Sequence, residues 1–321
     1  KLASLADDPD QLHRYIAQTV AQASDDMGPQ SHRLLLVGGS WRAIARIDMH
    51  RRGYPLQVLH EYRMTADDVA ATADLIAQSD PNDLRQPCGI SAGRMALVPL
   101  AIPVLQAVVA KFAPFDIAIS SYGIREGLLY EQMPQKMRNR DPLIEACRHA
   151  EAKDARRPGF GKRLAKFIAP LFPKAHDDLR RLIKAACLMH DVNWRAHPDY
   201  RAEVCFDTVT RANLGGIKHN ERVFLGTALM YRYRNTPEGT RFEELITLLT
   251  QNDATKAEIL GKAMRLGAML WDDTDPASLG IEQGTLSLNM APTSLPLNGE
   301  VVEARLASLA RTMGLAYQIT A

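Results

Sequence analysis

The sequence lacks most of the motifs that would assign it directly to a large enzyme class. Its 321 residues contain no Walker loop and no GxGxxG, HExxH or GxSxG motif. These absences argue against a P-loop kinase, a Rossmann dehydrogenase, a zincin and an α/β-hydrolase. The four cysteines, Cys88, Cys147, Cys187 and Cys205, form no CxxC pair. They indicate neither a disulfide framework nor a zinc ribbon, and a reducing cytoplasm fits them best.

A strong charge imbalance and long apolar runs are absent as well. Lys and Arg total 39 against 37 Asp and Glu, which gives a net charge of +2. This balance argues against a histone-like role, so we expect no nucleic-acid partner, but it leaves room for a local basic groove. The apolar stretch 95–110 contains prolines and is too short to span a bilayer, so we expect no membrane partner. The chain begins with Lys1 and shows no signal-peptide pattern, so we expect the natural start to lie upstream.

What is present is an ordinary globular composition, with 46% hydrophobic and 24% charged residues, and a length that suits two or three domains. The first 133 residues alternate between strand and helix patterns. The predicted elements are helices over 9–28, 65–78 and 95–111, strands over 34–37 and 117–120, and a looser extended segment over 54–62. Each short apolar strand ends at a glycine turn and leads into a helix, which predicts an α/β domain over 1–133.

The composition changes to helix formers after Pro134 and changes again after Pro276. Helices are predicted over 176–191, 200–213, 219–232, 240–250 and 254–271. The C-terminal pattern predicts strands over 284–290, 294–299 and 315–319 with a helix over 301–314. We therefore expect a helical domain over 134–275 and a small α/β domain over 276–321.

Two glycine turns are candidates for binding an anion. In GGSWRA, Gly38 and Gly39 would let backbone amides approach a phosphate at a helix N-terminus, with Arg42 nearby. In YGIREG, Gly123 precedes a helix whose second residue is Arg125, a position that the helix dipole disfavours for a cation. Both turns have simpler interpretations, a tight strand-to-helix turn in the first and a surface ion pair of Arg125 in the second.

Two features of the helical part are further candidates. The adjacent pair His190 and Asp191 is typical of the metal dyad of HD-type phosphohydrolases, with His176 and Asp207 as suggestive partners. The alternative, which the incomplete ligand set favours, is a structural histidine with a buried hydrogen bond. The stretch 151–184 is rich in Lys and Arg, and it is either a track for a polyanion or an ordinary solvated helix surface.

Taken in order, these segments resemble the exopolyphosphatase/guanosine pentaphosphate phosphohydrolase (Ppx/GppA) family. The matching stretches are LLLVGGSWRAIARI, YPLQVLHEY, GRMALVPLAIPVL, ISSYGIREGLLYE and LIKAACLMHDVNW. The resemblance implies part of an actin-like (ribonuclease-H-like) lobe, then an all-helical HD-like domain and a small α/β tail. It implies Mg²⁺-assisted hydrolysis of the terminal phosphoanhydride of inorganic polyphosphate or of pppGpp, in a cytoplasmic homodimer.

The resemblance also implies site residues. The expected phosphate-binding residues are Gly38, Gly39, Arg42, Arg94, Gly123 and Arg125. The basic stretch 151–184 is our own candidate for a polyanion track, with Arg156, Arg157, Lys162 and Arg163 as the residues to test. The sequence departs from the family pattern because it has no DxGS or GGGS loop, and Arg94 is followed by Met95-Ala96. The catalytic residues are therefore expected upstream of Lys1, and this chain by itself is expected to be inactive. An HD-type metal phosphohydrolase using His190 and Asp191, and a non-catalytic polyphosphate-binding module, remain as alternatives.

Overall fold

Two strand-turn-helix units lie in the N-terminal part of the chain, as the sequence predicts. The computed structural model describes residues 1–25, 27, 32–270 and 277–320. The chain divides into two units, Lys1–Arg138 and Asn139–Ala321. Each has its own hydrophobic core, so the two are described separately.

The first unit combines helices with a small sheet. Its helices are α1 (Pro9–Ser24), α2 (Gly39–Arg51), α3 (Ala66–Gln78), α4 (Pro81–Arg85), α5 (Ala92–Met95), α6 (Val98–Phe112), α7 (Ile124–Gln132) and α8 (Gln135–Arg138), and its strands are β1 (Arg33–Val37), β2 (Arg63–Met64) and β3 (Asp116–Ser120). The predicted helix over 9–28 ends at Ser24, and residues 26 and 28 lie outside the described residues.

The sheet of the first unit has the order β1-β3-β2. Strands β1 and β3 are parallel, with Arg33 opposite Asp116 and Val37 opposite Ser120, and β2 is antiparallel to β3. The apolar residues of β3 are buried in a core that they share with α2, α3 and α6. Because β1 and β3 are parallel and in register, both end at the same edge of the sheet, where the two predicted glycine turns follow.

The extended segment predicted over 54–62 is not a strand. The chain there is irregular, and only Arg63–Met64 pairs with β3. Glu61 has a φ of 65° and its amide donates to the Ile119 carbonyl. A positive φ lies outside the extended region of backbone conformation, so the segment does not continue as a β-strand at Glu61.

The second unit is mainly helical. Its elements are α9 (Pro142–Asp154), α10 (Phe160–Ile168), α11 (Asp177–Met189), α12 (Pro198–Arg211), α13 (His219–Tyr231), α14 (Glu243–Ile246), α15 (Gln251–Gly267), β4 (Ala277–Glu282), β5 (Thr285–Met290), α16 (Glu300–Met313) and β6 (Ala316–Thr320). The predicted helices over 176–191, 200–213 and 219–232 are present as α11, α12 and α13. That over 254–271 is present as α15, and residue 271 lies outside the described residues.

Two predictions for this unit are wrong and one strand was missed. The segment 294–299 is not a strand, because Pro292–Leu297 forms a 3₁₀ turn that contains Pro296. The helix predicted over 240–250 is reduced to the single turn of α14. Strand β4 was not predicted. It pairs antiparallel with β5 through a turn at Gln283 and Gly284, whose φ values of 47° and 79° suit a tight hairpin.

The C-terminal strands share a core with the helices. Leu279, Leu286 and Leu306 belong to the same buried cluster as side chains of α9 to α13 and of α15. Strand β6 is parallel to β5, and α16 connects the two. The three domain limits drawn from the sequence remain a prediction.

The four cysteines and the lengths of the apolar helices can be stated from the structure. All four cysteines are free and buried, and burial raises the pKa of Cys147 to about 12 and that of Cys205 to about 11. Among the described residues, every helix is too short or too polar to cross a membrane.

Candidate functional site

The candidate site of the first unit lies at the edge where β1 and β3 both end. Helix α2 begins at Gly39 directly after β1, and α7 begins at Ile124 shortly after β3. Two helix N-termini therefore lie at one edge of a parallel sheet. Free amides and the positive ends of helix dipoles favour an anion at such a position.

The first turn depends on glycine for its backbone and for its space. Gly38 has a φ of 137°, a conformation that side chains other than glycine rarely adopt. A Cβ at position 39 would lie 3.4 Å from the Nε of Arg94. Because the turn carries no side chain there, the guanidinium of Arg94 reaches the N-terminus of α2 from α5. Arg94 and the two glycines of this turn thus lie close together at the start of α2.

Arg42 connects the two turns. Its Nε donates to the Ser120 carbonyl at 3.2 Å, and its Nη2 donates to the Ser121 carbonyl at 2.9 Å. Both carbonyls lie at the end of β3, so the guanidinium holds the second turn against the first. Arg42 therefore has a positioning role, and the anion contact predicted for it stays a prediction.

The second turn is already occupied by a carboxylate of its own helix. The Gly123 amide donates to Oε2 of Glu126 at 2.7 Å. That backbone bond, with smaller contributions from the charges of Arg125 and Arg42, lowers the pKa of Glu126. Glu126 occupies the N-terminus of α7 that an external phosphate would use. Arg125 is exposed, and among the described residues it forms no ion pair within 4 Å.

His60 belongs to this edge although the sequence analysis did not assign it a role there. Its Nδ1 accepts a hydrogen bond from the Ser121 amide at 3.2 Å, and its ring lies 4.7 Å from that of Tyr122. The only signal was its place in the YPLQVLHEY segment, because the bond joins residues 61 positions apart. His60 helps to fix the turn that follows β3.

The edge is suited to holding an anion rather than a metal ion. Arg42 and Arg125 lie near enough to Glu126 for their charges to lower its pKa, and the guanidinium of Arg94 lies beside Gly39. No group of three or more His, Cys, Asp or Glu side chains within the described ranges is arranged to hold a metal ion. The Mg²⁺ that the resemblance implies is therefore not matched by a ligand set in the part of the chain that the structure describes.

The predicted polyanion track lies in the second unit and its members differ in their surroundings. The Nε of Arg156 lies 3.4 Å from Oδ2 of the buried Asp191, and its guanidinium lies 5.9 Å from the Trp194 ring centroid. Lys162 is exposed on α10, whereas Arg163 is half-buried beside a recess of about 340 Å³. Arg157 is exposed in the loop before α10. Arg156 thus stabilises the fold through Asp191. The role of the track in binding a polyanion remains a prediction.

The candidate metal dyad is buried and used internally. The His190 Nδ1 lies 2.8 Å from the Cys187 carbonyl and therefore donates to it. Burial, followed by the charge of Arg232, lowers the pKa of His190 to about 3. Asp191 pairs with Arg156. These contacts agree with the structural interpretation of the dyad.

The suggested partners of the dyad have separate roles. His176 caps α11, where its Nδ1 accepts from the Leu179 amide at 3.3 Å. Asp207 pairs with Arg211 at 3.3 Å and with Arg241. Within the described residues the four side chains do not form a ligand cluster.

Comparison with known proteins shows two family matches and one curated relative. A family profile described as "Exopolyphosphatase, C-terminal" matches residues 143–319, and one described as "Ppx/GppA phosphatase family" matches residues 5–136. The chain is 24% identical over 240 residues to "Retrograde regulation protein 2" of Saccharomyces cerevisiae. That alignment covers 70% of this chain and 40% of the yeast protein, so the chain spans well under two thirds of this relative's length.

Proposed function

Because the chain belongs to the Ppx/GppA phosphatase family, we propose that it serves the hydrolysis of a terminal phosphoanhydride in inorganic polyphosphate or guanosine pentaphosphate. The observation that carries this proposal is the edge formed by Gly38, Gly39, Arg42 and Arg94. It combines a helix N-terminus, a turn without side chains and two guanidinium groups. That combination suits the terminal phosphate of a substrate.

Hydrolysis of a phosphoanhydride requires mainly that the substrate is positioned and that the charge on its phosphate oxygens is neutralised. In phosphoryl transfer, negative charge spreads over the phosphate oxygens while water attacks in line with the leaving group. The amide of Gly39 and the guanidinium of Arg94 would neutralise those oxygens, and Arg42 would keep the edge in shape through Ser120 and Ser121. Mg²⁺ assistance and a catalytic glutamate belong to the proposal through the family alone.

The finer fold assignment is part of the same proposal. The first unit would be part of an actin-like lobe, and the helices of the second unit would form an HD-like domain. Support comes from the two parallel strands that each lead through a glycine turn into a helix. A homodimer is proposed only because the family resemblance implies it.

A non-catalytic, polyanion-binding role is the second candidate. It is favoured by the name of the curated relative, a regulation protein. It is also favoured by the absence of a metal-ligand cluster among the described residues. In this role the same edge would bind the terminal phosphate without cleaving the anhydride bond.

A combined binding and turnover measurement separates the candidates. The full chain is assayed for phosphate release from polyphosphate and from guanosine pentaphosphate with Mg²⁺, and binding is measured by calorimetry. The Arg94→Gln variant is expected to bind about tenfold more weakly or worse, because a charge-assisted bond to phosphate is lost. Arg14→Gln, an exposed arginine of α1, is the matched control and should bind as the parent does.

Each outcome has a definite meaning. Phosphate release that falls in Arg94→Gln supports the hydrolase. Binding without release, again weakened by Arg94→Gln, supports the regulatory role. Binding that is unchanged in Arg94→Gln would remove this edge from the proposal altogether.

A further inference from the structure

A basic recess lies on the surface of the second unit, between α9 and α11. It has a volume of about 390 Å³, and its lining comes from residues 140–148 and 180–184. Of the described residues, two carboxylates, Asp141 and Glu145, line it together with five cationic side chains, which are those of Arg140, Arg148, Arg180, Arg181 and Lys184. The basic recess therefore has a clear excess of positive charge.

Arg181 serves the fold and forms the base of the recess. Its Nε pairs with Oδ2 of Asp141, and its Nη2 donates to the Gly216 carbonyl. Its Nη1 also lies 4.0 Å from Oε2 of Glu221. These contacts join α11 to the start of α9 and to the loop before α13. The charges of Arg181 and Asp141 are thus used within the protein.

Glu145 holds two further arginines side by side. Its Oε2 accepts from Nη1 of Arg140 at 3.0 Å, and its Oε1 pairs with Nη1 of Arg148. About half of each arginine side chain stays exposed, 49% and 51%. The other guanidinium nitrogens of both residues have no hydrogen-bond acceptor among the described residues. One carboxylate therefore positions two guanidinium groups whose remaining donors are available to a carboxylate from outside.

Helix α11 adds two cations that have little or no countercharge. Lys184 is exposed and forms no ion pair or hydrogen bond with any residue that the structure describes. The Nη1 of Arg180 lies 4.0 Å from Oδ1 of Asp177, whose side chain is fully exposed, so this contact stabilises little in water. Arg180 and Lys184 are four residues apart and therefore lie on one face, with about 6 Å between their Cβ atoms. The cations of the recess are thus separated rather than directed at one point.

The recess also offers apolar surface. Ile144 belongs to its lining, and the methylene stems of lysine and arginine are apolar as well. A phosphate or polyphosphate has no apolar group for this surface, and its closely spaced charges would lie against Asp141 and Glu145. A protein segment with separated carboxylates and an apolar side chain between them suits both the charges and the apolar lining.

We propose that the basic recess is a docking site for an acidic amphipathic helix of a partner protein. Carboxylates match guanidinium groups through paired hydrogen bonds. Glutamates four residues apart on a helix have the same spacing as Arg180 and Lys184, and an apolar side chain on that face would contact Ile144. The complementary charges would accelerate association and exclude basic partners. The site is independent of the proposed function, because it uses no residue of the edge in the first unit.

The test is binding of a short synthetic helical peptide to the full chain, measured by fluorescence anisotropy. The peptide has glutamates four residues apart with leucine between them, and the chain carries Arg94→Gln so that the edge of the first unit does not contribute. Lys184→Glu is expected to weaken binding about tenfold or more. Arg311→Glu makes the same charge change at an exposed position of α16 and should bind as the background does. A peptide with Gln in place of Glu should bind at least tenfold more weakly.

Two further measurements complete the test. The glutamate peptide should raise the unfolding temperature of the background, as binding requires, and this gain should be lost in Lys184→Glu. Arg180→Gln, a second exposed position, should weaken peptide binding in the same direction. Inorganic polyphosphate is titrated in parallel. Equal peptide affinity in Lys184→Glu, or no peptide binding by the chain, overturns the proposal. Polyphosphate affinity that falls in Lys184→Glu while peptide affinity does not would also overturn it, because the recess would then be a polyanion site.

Discussion

Some residues whose side-chain chemistry first indicates a catalytic function have a structural role in the folded chain. His190 is buried, donates to the Cys187 carbonyl and contacts the ring of Phe160 at 5.3 Å between centroids. The main-chain carbonyl of His190 also accepts a bond from the Tyr233 hydroxyl at 2.8 Å. Protonation would place a second positive charge beside Arg232 in a buried environment.

This burial makes stability depend on pH. The pKa of His190 falls to about 3 in the folded chain, below about 6.5 for a free histidine. The contribution of the neutral, buried His190 to the free energy of unfolding is therefore complete above pH 6.5. It is lost as the pH falls from about 6.5 toward 3. In that window the free energy of unfolding falls by up to about 1.4 kcal/mol for each unit by which the pH decreases. Urea unfolding of the full chain at pH 7, 6 and 5 measures it.

Two variants isolate the contribution of this histidine. His190→Gln removes the titrating ring and should flatten the pH dependence between pH 6.5 and 5, although the chain is less stable at pH 7. His13→Gln, an exposed histidine of α1, should leave the parent's slope unchanged. An unaltered slope in His190→Gln would show that other groups cause the acid sensitivity.

Residue identities in the candidate site were predictable, but their partners were not. Gly38, Gly39, Arg42 and Arg94 follow from the glycine turns and the resemblance. The bonds of Arg42 to Ser120 and Ser121 span 78 and 79 residues of sequence. No local pattern reports such a contact, because it depends on the parallel register of β1 and β3. The role of Arg42 as a brace therefore appears only in the folded chain.

At the scale of elements, the caps were readable from the sequence. Thr65 caps α3 together with Asp68, and both bonds of this capping box are present. At α7 only one half of such a box is present, because glycine has no side chain to accept a bond: the Gly123 amide donates to Oε2 of Glu126. This G-x-x-E spacing could have predicted the occupied N-terminus. The segment over 54–62 was predicted as a looser extended stretch, whereas in the fold it is irregular and the Glu61 amide donates to the Ile119 carbonyl of β3.

Helix packing yields a prediction for two glycines. A Cβ at Gly261 would lie 2.4 Å from the Ala228 carbonyl oxygen and from the Tyr231 Cβ, and neither can move without shifting α13. Gly261→Ala should therefore destabilise the chain by about 1–3 kcal/mol through overpacking. This exceeds the helix-propensity gain of about 1 kcal/mol. Thermal or urea unfolding measures the change.

Gly127→Ala is the matched control. Gly127 lies inside α7, and a Cβ there would have nothing within 4 Å. This variant should gain about 0.5–1 kcal/mol, because only the entropic penalty of glycine is removed. If both variants changed stability in the same direction, close packing of α15 on α13 would not be the reason for the effect.

At the scale of the whole molecule, the charge is nearly balanced but the cations are concentrated locally. The recess of about 390 Å³ between α9 and α11 is lined by Arg140, Arg148, Arg180, Arg181 and Lys184 with only Asp141 and Glu145. Arg181 pairs with Asp141, and this contact holds the pKa of that carboxyl below its usual range against the opposing effect of burial. The net charge of +2 therefore does not show that parts of the surface are strongly basic.

The predicted polyanion track can be tested through the salt dependence of binding. Lys162 suits the test because it is exposed, whereas Arg156 is tied to the buried Asp191. Lys162→Glu should weaken long-chain polyphosphate binding and reduce the slope of log K against log salt by about 0.7 or more. Lys111→Glu changes the net charge equally from an exposed position on α6 and should leave the slope near the parent's. Equal slopes in the two variants would exclude Lys162 from the track.

The sequence by itself determined the order and type of most elements, the glycine turns and the family, because apolar periodicity, caps and turn residues act over a few positions. The tertiary structure alone decided which charges meet. It paired Arg156 with Asp191 and turned Arg42 toward the end of β3. These contacts depend on strand register and helix packing between segments far apart in the chain, and both are set by burial of the shared cores rather than by any local signal.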